Sequence, residues 1–97
     1  MLMIGYSLET IDLPLLRRQV EDKLCELGHL EPHQFPLTQR EVVRRGATCG
    51  LYFCLHGPRS VKLTAIADLK TKSMVYYGVD GVRCETVPME NLTRAAA

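Results

Sequence analysis

The feature that most constrains the fold of this chain is a change in the spacing of its apolar residues near position 37. Before that position, apolar residues recur every three or four residues and form one stripe of an α-helix. The stripe comprises Leu13, Leu16, Val20, Leu24 and Leu27. From Leu37 onward, apolar and polar residues alternate, as they do in strands with one covered face. The sequence therefore predicts an α+β fold, with one N-terminal amphipathic helix packed on an antiparallel sheet.

Local signals set the limits of the predicted helix, residues 12–27. Asp12 is a suitable N-cap because its carboxylate accepts hydrogen bonds from the free N–H groups of a first turn. Pro14 fits that turn, where a missing N–H costs little. Gly28 is the expected first residue beyond the helix, since glycine adopts the left-handed conformation without a steric penalty. Two prolines, Pro32 and Pro36, then mark residues 29–36 as a connecting loop.

Five short segments of period two predict a four- to five-stranded β-meander over residues 38–87. In chain order they are Thr38–Arg44, Cys49–His56, Val61–Ala67, Ser73–Gly78 and Val82–Val87. Turns as short as those between them connect antiparallel neighbours. The pair Asp80-Gly81 predicts a two-residue type I′ turn, in which both residues have positive φ. The resulting cross-strand pairs are Val75 with Thr86, Tyr77 with Cys84, and Val79 with Val82.

The alternation also assigns side chains to the two faces of the sheet. The face predicted beneath the helix carries Leu51, Phe53, Leu55, Leu63, Val75 and Tyr77. The opposite face, which we call the open face, is predicted to carry Tyr52, Cys54, Lys62, Thr64, Ile66, Tyr76 and Arg83. These assignments require three or five residues in the loop that begins at Gly57, because a one-residue slip would bury Lys62.

The length of 97 residues leaves room for one hydrophobic core. We expect one domain over residues 1–92, in which residues 1–6 form a brief strand or an apolar arm, and a C-terminal tail over residues 93–97. The sequence has no apolar run of about 18 residues and no basic leader followed by an apolar stretch. We therefore expect a cytoplasmic protein without a membrane partner, whose four cysteines remain reduced.

Positive charge is concentrated in the middle of the chain. Residues 38–72 carry seven basic and two acidic residues, a net charge of +5, whereas the remainder carries −4. Alternate turns of a meander lie at the same end of the sheet. The turns after the first and third strands should therefore bring together Arg44, Arg45, Lys70 and Lys72. This cluster suits the phosphates of a nucleic acid or an acidic protein surface, and the alternative is that solvated loop charges protect the sheet from aggregation.

The opposite end of the sheet holds a second group of interest: Cys54, His56, Arg59, Ser60 and Arg83. Backbone amides of the loop, together with Arg59, suit a small anionic ligand. A histidine beside a cysteine also stabilises a thiolate nucleophile, as a small enzyme or redox protein would need. The alternative is a partly buried thiol beside a solvated histidine, with an ordinary turn after it.

Metal and cofactor motifs receive no support from the sequence. Cys49, Cys54, His56 and Cys84 are residue types that bind zinc, but they do not share one face of the predicted sheet. The chain also lacks the usual motifs of phosphate-binding loops, serine hydrolases, zinc proteases and EF-hands. We therefore predict neither a metal nor a cofactor, and no catalytic residues.

The open face is the surface best suited to a partner. Tyrosine and isoleucine are common in the buried cores of protein interfaces. The interface is predicted to include Tyr52, Lys62, Thr64, Ile66 and Tyr76. The leading hypothesis is a non-enzymatic interaction module that binds a protein partner or forms a homodimer through this face. A nucleic-acid-binding accessory protein is the alternative, although a pI near 7.7 is low for a dedicated nucleic-acid binder.

Overall fold

A computed structural model describes residues 11–89 and shows the predicted order of one α-helix followed by five strands. A short 3-10 helix, Pro58–Ser60, lies in the loop between the second and third strands. Helix α1 spans Leu13–Gly28. The strands are β1 (Leu37–Arg44), β2 (Ala47–His56), β3 (Lys62–Asp68), β4 (Ser73–Tyr77) and β5 (Arg83–Pro88). Each strand pairs antiparallel with the next in the order β1-β2-β3-β4-β5. The α+β meander is thereby confirmed, while the predicted N-terminal arm and C-terminal tail lie outside the described residues.

The helix begins as predicted and ends one residue later than predicted. Asp12 Oδ1 accepts a hydrogen bond from the Leu15 N–H at 3.2 Å. At the other end His29, not Gly28, takes the left-handed conformation, with φ of 56°. The N–H groups of His29 and Leu30 donate to the carbonyls of Glu26 and Cys25, as in a Schellman motif.

Gly28 is instead the last residue of α1, at a point where the helix lies close to the sheet. A Cβ atom there would approach Leu63 Cδ1 to 2.9 Å. The glycine is thus explained by close packing and not by backbone conformation. The prediction that Gly28 lies beyond the helix is wrong for this reason.

The core lies between α1 and one face of the sheet. Leu16, Val20 and Leu24 of the helix pack over fully buried side chains of β2 and β3, namely Leu51, Phe53, Leu55, Leu63, Ala65 and Ala67. Polar contacts fix the helix to both edge strands. Arg17 donates to Gln39 Oε1 at 2.7 Å and to the Leu37 carbonyl at 3.0 Å on β1. Lys23 forms an ion pair of 2.9 Å with Glu85 on β5.

The two loops that flank β2 differ in length. Arg45 and Gly46 form a two-residue turn between paired Arg44 and Ala47, and both have positive φ, at 52° and 78°. At the other end His56 pairs with Lys62, so the loop contains five residues, 57–61. The predicted odd-numbered loop is confirmed, and Lys62 is exposed.

The connection between β4 and β5 differs from the predicted type I′ turn. The Gly78 N–H donates to the Val82 carbonyl at 3.1 Å, which encloses three residues, 79–81. Of Asp80 and Gly81, only Gly81 has positive φ. This arrangement is a type I turn followed by a left-handed glycine, the other common form of short hairpin. Val75 still faces Thr86, as predicted.

The three-residue loop changes the pairing at the end of this hairpin. The register shifts between Tyr76 and Tyr77, so that Tyr77 pairs with Arg83 and not with Cys84. Cys84 is the extra residue of the resulting bulge, and its side chain is exposed. The predicted place of Cys84 opposite Tyr77 on the helix-covered face is therefore wrong.

The faces of β4 are also the reverse of the prediction. Met74 and Tyr76 lie against the core, at 3% and 4% exposure, while Val75 and Tyr77 lie on the open face. The pairing with β3 fixes this, because Ala65 is opposite Tyr76 and cross-strand partners share a face. Every residue from Met74 to Tyr77 is apolar or aromatic, so alternation gave no signal in this strand.

Candidate functional site

The open face is built from cross-strand rows of side chains. Partners that lie directly opposite each other in antiparallel strands point to the same side of the sheet. The central row runs across all five strands through Arg40, Tyr52, Ile66, Val75 and Thr86. A neighbouring row contains Thr38, Cys54, Thr64, Tyr77 and Arg83. The one α-helix among the described residues, α1, packs on the other face of the sheet.

Four of the five predicted interface residues lie on the open face. Tyr52, Thr64 and Ile66 are partly exposed, and Lys62 is exposed. Tyr76 is the exception, because it is buried beneath the helix, and burial raises the pKa of its hydroxyl to about 12, with Glu85 adding to the effect. Val75 and Tyr77 take its place on the open face. The prediction missed both because it assigned β4 with the opposite parity.

Arg40 is a further residue of this face that the prediction did not include. Its guanidinium lies over the Tyr52 ring, 5.1 Å from the centroid. A cation over an aromatic ring is held by the negative charge at the ring face. The contact keeps an exposed positive charge beside the apolar centre of the open face. Sequence reasoning could have found this contact only from the register of β1, which places Arg40 opposite Tyr52.

The open face carries more positive than negative charge. Within residues 11–89, strand pairing places on it the basic side chains of Arg40, Arg44, Lys62 and Arg83. The carboxylate on the same face is that of Asp68, which lies at one end. Asp68 Oδ1 accepts hydrogen bonds from the N–H groups of Lys70 and Thr71, at 3.0 and 3.2 Å. The apolar centre is thus bordered by cations.

The basic end of the sheet contains a recess between two turns. Arg44, Cys49 and Lys70 line two adjoining depressions, of about 280 and 350 Å³. Arg45 lines the larger depression, and Asp68 lines the smaller. Three of the four predicted basic residues are therefore brought together. Lys72 lines neither depression, and its carbonyl accepts a hydrogen bond of 2.7 Å from Met89.

A β-bulge at Cys49 contributes to the lining of this recess. Val42 pairs with Gly50 and Val43 with Thr48, so that Cys49 is an extra residue in β2. The Cys49 carbonyl accepts a hydrogen bond from the Leu69 N–H at 3.1 Å. Bulges redirect side chains and interrupt regular pairing. The sequence predicts neither the bulge nor the position of Cys49 in the recess. The alternation on either side of residue 49 is compatible with an unbroken strand.

At the opposite end of the sheet, Cys54 and His56 have different polar surroundings. Cys54 and His56 share the open face, but Cys54 is only 6% exposed. The His56 Nε2 lies 3.0 Å from Thr38 Oγ1, and within residues 11–89 no hydrogen bond joins this imidazole to the thiol. Arg59 and Ser60 lie in the loop with positive φ, at 57° and 64°. Arg83 lies on the open face opposite Tyr77.

Other site types find no support in the described part of the chain. Across residues 11–89, no three His, Cys, Asp or Glu side chains are close enough together to hold a metal ion. All four cysteines are free thiols, and burial raises the pKa of the Cys25 thiol. The described residues contain no helix with the length and apolar character to span a membrane. Comparisons with protein-family models, with curated proteins and with solved structures gave no match.

Proposed function

We propose that this protein is a non-enzymatic binding module whose open face binds an acidic protein partner. The observation that carries the proposal is the central row of the sheet, in which Tyr52, Ile66 and Val75 form an apolar centre beside Arg40. Tyrosine and arginine dominate the binding energy of many protein interfaces. An apolar centre with a charged rim is the usual anatomy of such interfaces.

The composition of the centre favours a protein over a nucleic acid. Proteins that bind single-stranded nucleic acids stack bases on exposed aromatic rings. Here the middle of the sheet is aliphatic, at Ile66 and Val75. The face of the Tyr52 ring is already occupied by the guanidinium of Arg40. Branched aliphatic side chains instead match apolar side chains of a protein surface.

The charge of the rim favours a partner other than a second copy. Two open faces packed against each other would bring Arg40, Lys62 and Arg83 of one copy close to those of the other. Like charges opposed at an interface cost several kcal/mol. A protein whose apolar patch is bordered by aspartate and glutamate would instead meet complementary charge. The proposed partner is therefore a different protein with an acidic surface.

Matched variants make this proposal testable. Immobilised wild-type protein is compared with Arg40→Glu, which reverses one charge on the open face, and with Arg18→Glu, which makes the same change on the exposed side of α1. Ile66→Glu tests the apolar centre, and Val43→Glu is its control because Val43 is 56% exposed away from that centre. Proteins captured by each bait are identified, purified and titrated against the same variants, whose folding is checked by circular dichroism.

The expected result is an acidic protein that binds directly and is lost with Arg40→Glu and Ile66→Glu. We expect at least about tenfold weaker binding for each of these variants. Arg18→Glu and Val43→Glu should bind like the wild type. Equal binding to all five baits contradicts the proposal. Direct binding of a single-stranded oligonucleotide that is abolished by Arg40→Glu would support the nucleic-acid alternative instead.

A further inference from the structure

The geometry of the recess at the basic end points to a binding site for a phosphate monoester. The recess lies where the β1–β2 turn meets the β3–β4 turn, and Arg44 and Lys70 line both of its depressions. Arg45 adds a third cation from the side of the first turn. Cations from two different turns thus converge on one concave surface. Convergence of this kind distinguishes a site from the scattered charges of a solvated loop.

The charge of the recess matches that of the ligand. Arg44, Arg45 and Lys70 supply three positive charges, and Asp68 supplies the one carboxylate among the lining residues. The net charge of the recess is therefore +2. A phosphate monoester carries about −1.5 to −2 at neutral pH. The Asp68 carboxylate already accepts two backbone N–H groups of its own turn, which reduces its repulsion of an anion.

The chemistry of the side chains also suits a terminal phosphate. An arginine guanidinium donates two parallel hydrogen bonds to phosphate oxygens, and lysine adds a compact charge. The Thr48 hydroxyl is not free to donate to a phosphate, because it donates to Glu41 Oε1 at 2.7 Å. A phosphodiester within a nucleic acid carries a single charge and needs an extended groove. A dianionic terminal group fits a short, open recess with three cations better.

The shape of the recess follows from the backbone. Gly50 lines the smaller depression, and a Cβ atom at this position would lie 2.7 Å from the Ala67 carbonyl oxygen. The absence of a side chain there, together with the bulge at Cys49, leaves the end of the open face concave. Depressions of about 280 and 350 Å³ are near the lower end of the range for small-molecule sites. They accommodate a phosphate with a small organic group.

This site adjoins the proposed protein interface but depends on different cations. Ile66 of the interface also lines the smaller depression, whereas Arg44, Arg45 and Lys70 supply the positive charge of the recess. Arg44→Gln and Lys70→Gln therefore test the recess without changing Arg40 or Ile66. Failure of phosphate binding would leave the interface proposal standing, and the reverse also holds.

Cysteine labelling gives a direct readout, because Cys49 lines the recess and exposed Cys84 lies at the other end of the sheet. The rate at which neutral iodoacetamide modifies each thiol is measured by peptide mass spectrometry. The probes are phenyl phosphate and inorganic phosphate, with dimethyl phosphate as the singly charged diester. A parallel titration by NMR gives the affinity of each probe for wild-type protein, Arg44→Gln, Lys70→Gln and the control Arg18→Gln.

We expect phenyl phosphate to slow the labelling of Cys49 and to leave Cys84 unchanged. Inorganic phosphate should act similarly, and dimethyl phosphate should have little effect. Arg44→Gln and Lys70→Gln should each weaken phenyl phosphate binding by about tenfold, and Arg18→Gln should not. The inference is overturned if Cys49 is not protected, if Cys84 is protected equally, or if all variants bind alike. Binding of an oligonucleotide without terminal phosphate that exceeds phenyl phosphate binding and depends on Arg44 also overturns it.

Discussion

Two glycines lie at points of close packing, and they differ in what a methyl group would meet. At Gly28 the contact is Leu63 Cδ1, the end of a side chain, at 2.9 Å. At Gly50 it is the Ala67 carbonyl oxygen, part of the backbone, at 2.7 Å. A side-chain end can rotate away, but a paired strand cannot move without loss of hydrogen bonds. A side chain at Gly50 therefore requires the pairing of β2 with β3 to shift.

The first prediction compares these two positions. We expect Gly50→Ala to lower the free energy of unfolding by about 1–3 kcal/mol, since the β2–β3 pairing must shift. Gly28→Ala should change it by less than about 1 kcal/mol, because the better helix propensity of alanine offsets the crowding of Leu63. Urea denaturation of both variants and the wild type measures the difference. If Gly50→Ala were as stable as the wild type, β2 and β3 would have to leave room for a methyl group at this position.

The second prediction concerns Tyr76, whose pKa is raised to about 12 by burial and, to a lesser extent, by Glu85. A tyrosine in the unfolded chain has a pKa of about 10. Between these values the unfolded state loses its phenolic proton while the folded state retains it. Stability is therefore expected to fall as pH rises through this window, by an amount on the order of 2 kcal/mol in total.

The control for this effect is Tyr76→Phe, which has no phenolic proton. The Lys23 pKa is also raised by its hydrogen bond to Glu85, so loss of that ion pair adds to the decline of both proteins above about pH 10. The difference between the two proteins isolates the tyrosine. The urea midpoints of the wild type and of Tyr76→Phe are measured from about pH 9 to about pH 12. If the wild type has the higher midpoint at about pH 9, the difference between the two midpoints should shrink as pH rises. If the midpoints of the two proteins change in parallel with pH, the raised pKa of Tyr76 is contradicted.

Attachment of α1 to the sheet depends on a few polar contacts in addition to its apolar stripe. Arg17 reaches β1 with two hydrogen bonds, to the Gln39 side chain and the Leu37 carbonyl. Lys23 reaches β5 at the opposite edge. The helix thus spans the sheet and is fixed at both edge strands. An edge strand held in this way is less available for pairing with another chain.

The third prediction tests the contact with β1. We expect Arg17→Ala to destabilise the protein by about 1–2 kcal/mol, because two hydrogen bonds from a charged donor are lost. Arg18→Ala removes the same type of side chain one residue later on the exposed side of the helix, and should change stability by less than about 0.5 kcal/mol. Chemical denaturation compares the two. Equal effects would show that Arg17 contributes no more than general helix propensity.

The elements differ in how far the sequence determined them. The helix was predictable because its stripe, Asp12 cap and Pro14 all agree, and the Gly57 loop was predictable because a slip would bury Lys62. β4 was not, since Met74 to Tyr77 are all apolar or aromatic and only pairing with β3 decides their face. The gathering of Arg44, Arg45 and Lys70 followed from meander topology. The bulge at Cys49 did not, because it depends on how two strands fit together.

At the scale of the whole molecule, charge follows the two-layer architecture. The exposed side of the helix layer mixes both signs, with Arg18, Asp22 and Glu26 exposed. The open face on the other side bears Arg40, Arg44, Lys62 and Arg83 against Asp68. The two exposed surfaces of the molecule thus differ in charge. A surface of one sign attracts partners of the other sign and repels copies of itself.

The fourth prediction follows from this repulsion. The apolar centre of the open face, with Tyr52, Ile66 and Val75, would associate with a second copy if its cationic rim were neutral. We therefore expect the wild type to sediment as a monomer in low salt. The double variant Arg40→Gln, Lys62→Gln should dimerise more strongly, by about tenfold in the association constant, because opposed like charges are removed.

Sedimentation velocity at two ionic strengths measures the self-association of the wild type and of the double variant. Added salt screens exposed charges beyond about 10 Å at 0.1 M, so any weak association of the wild type should increase with salt. Ile66→Glu in the neutralised background should restore the monomer, since it places a charge in the apolar centre. A wild-type protein that dimerises in low salt and dissociates in high salt would show the opposite sign. That outcome would identify a second copy, bound through complementary charges elsewhere on the molecule, as the partner.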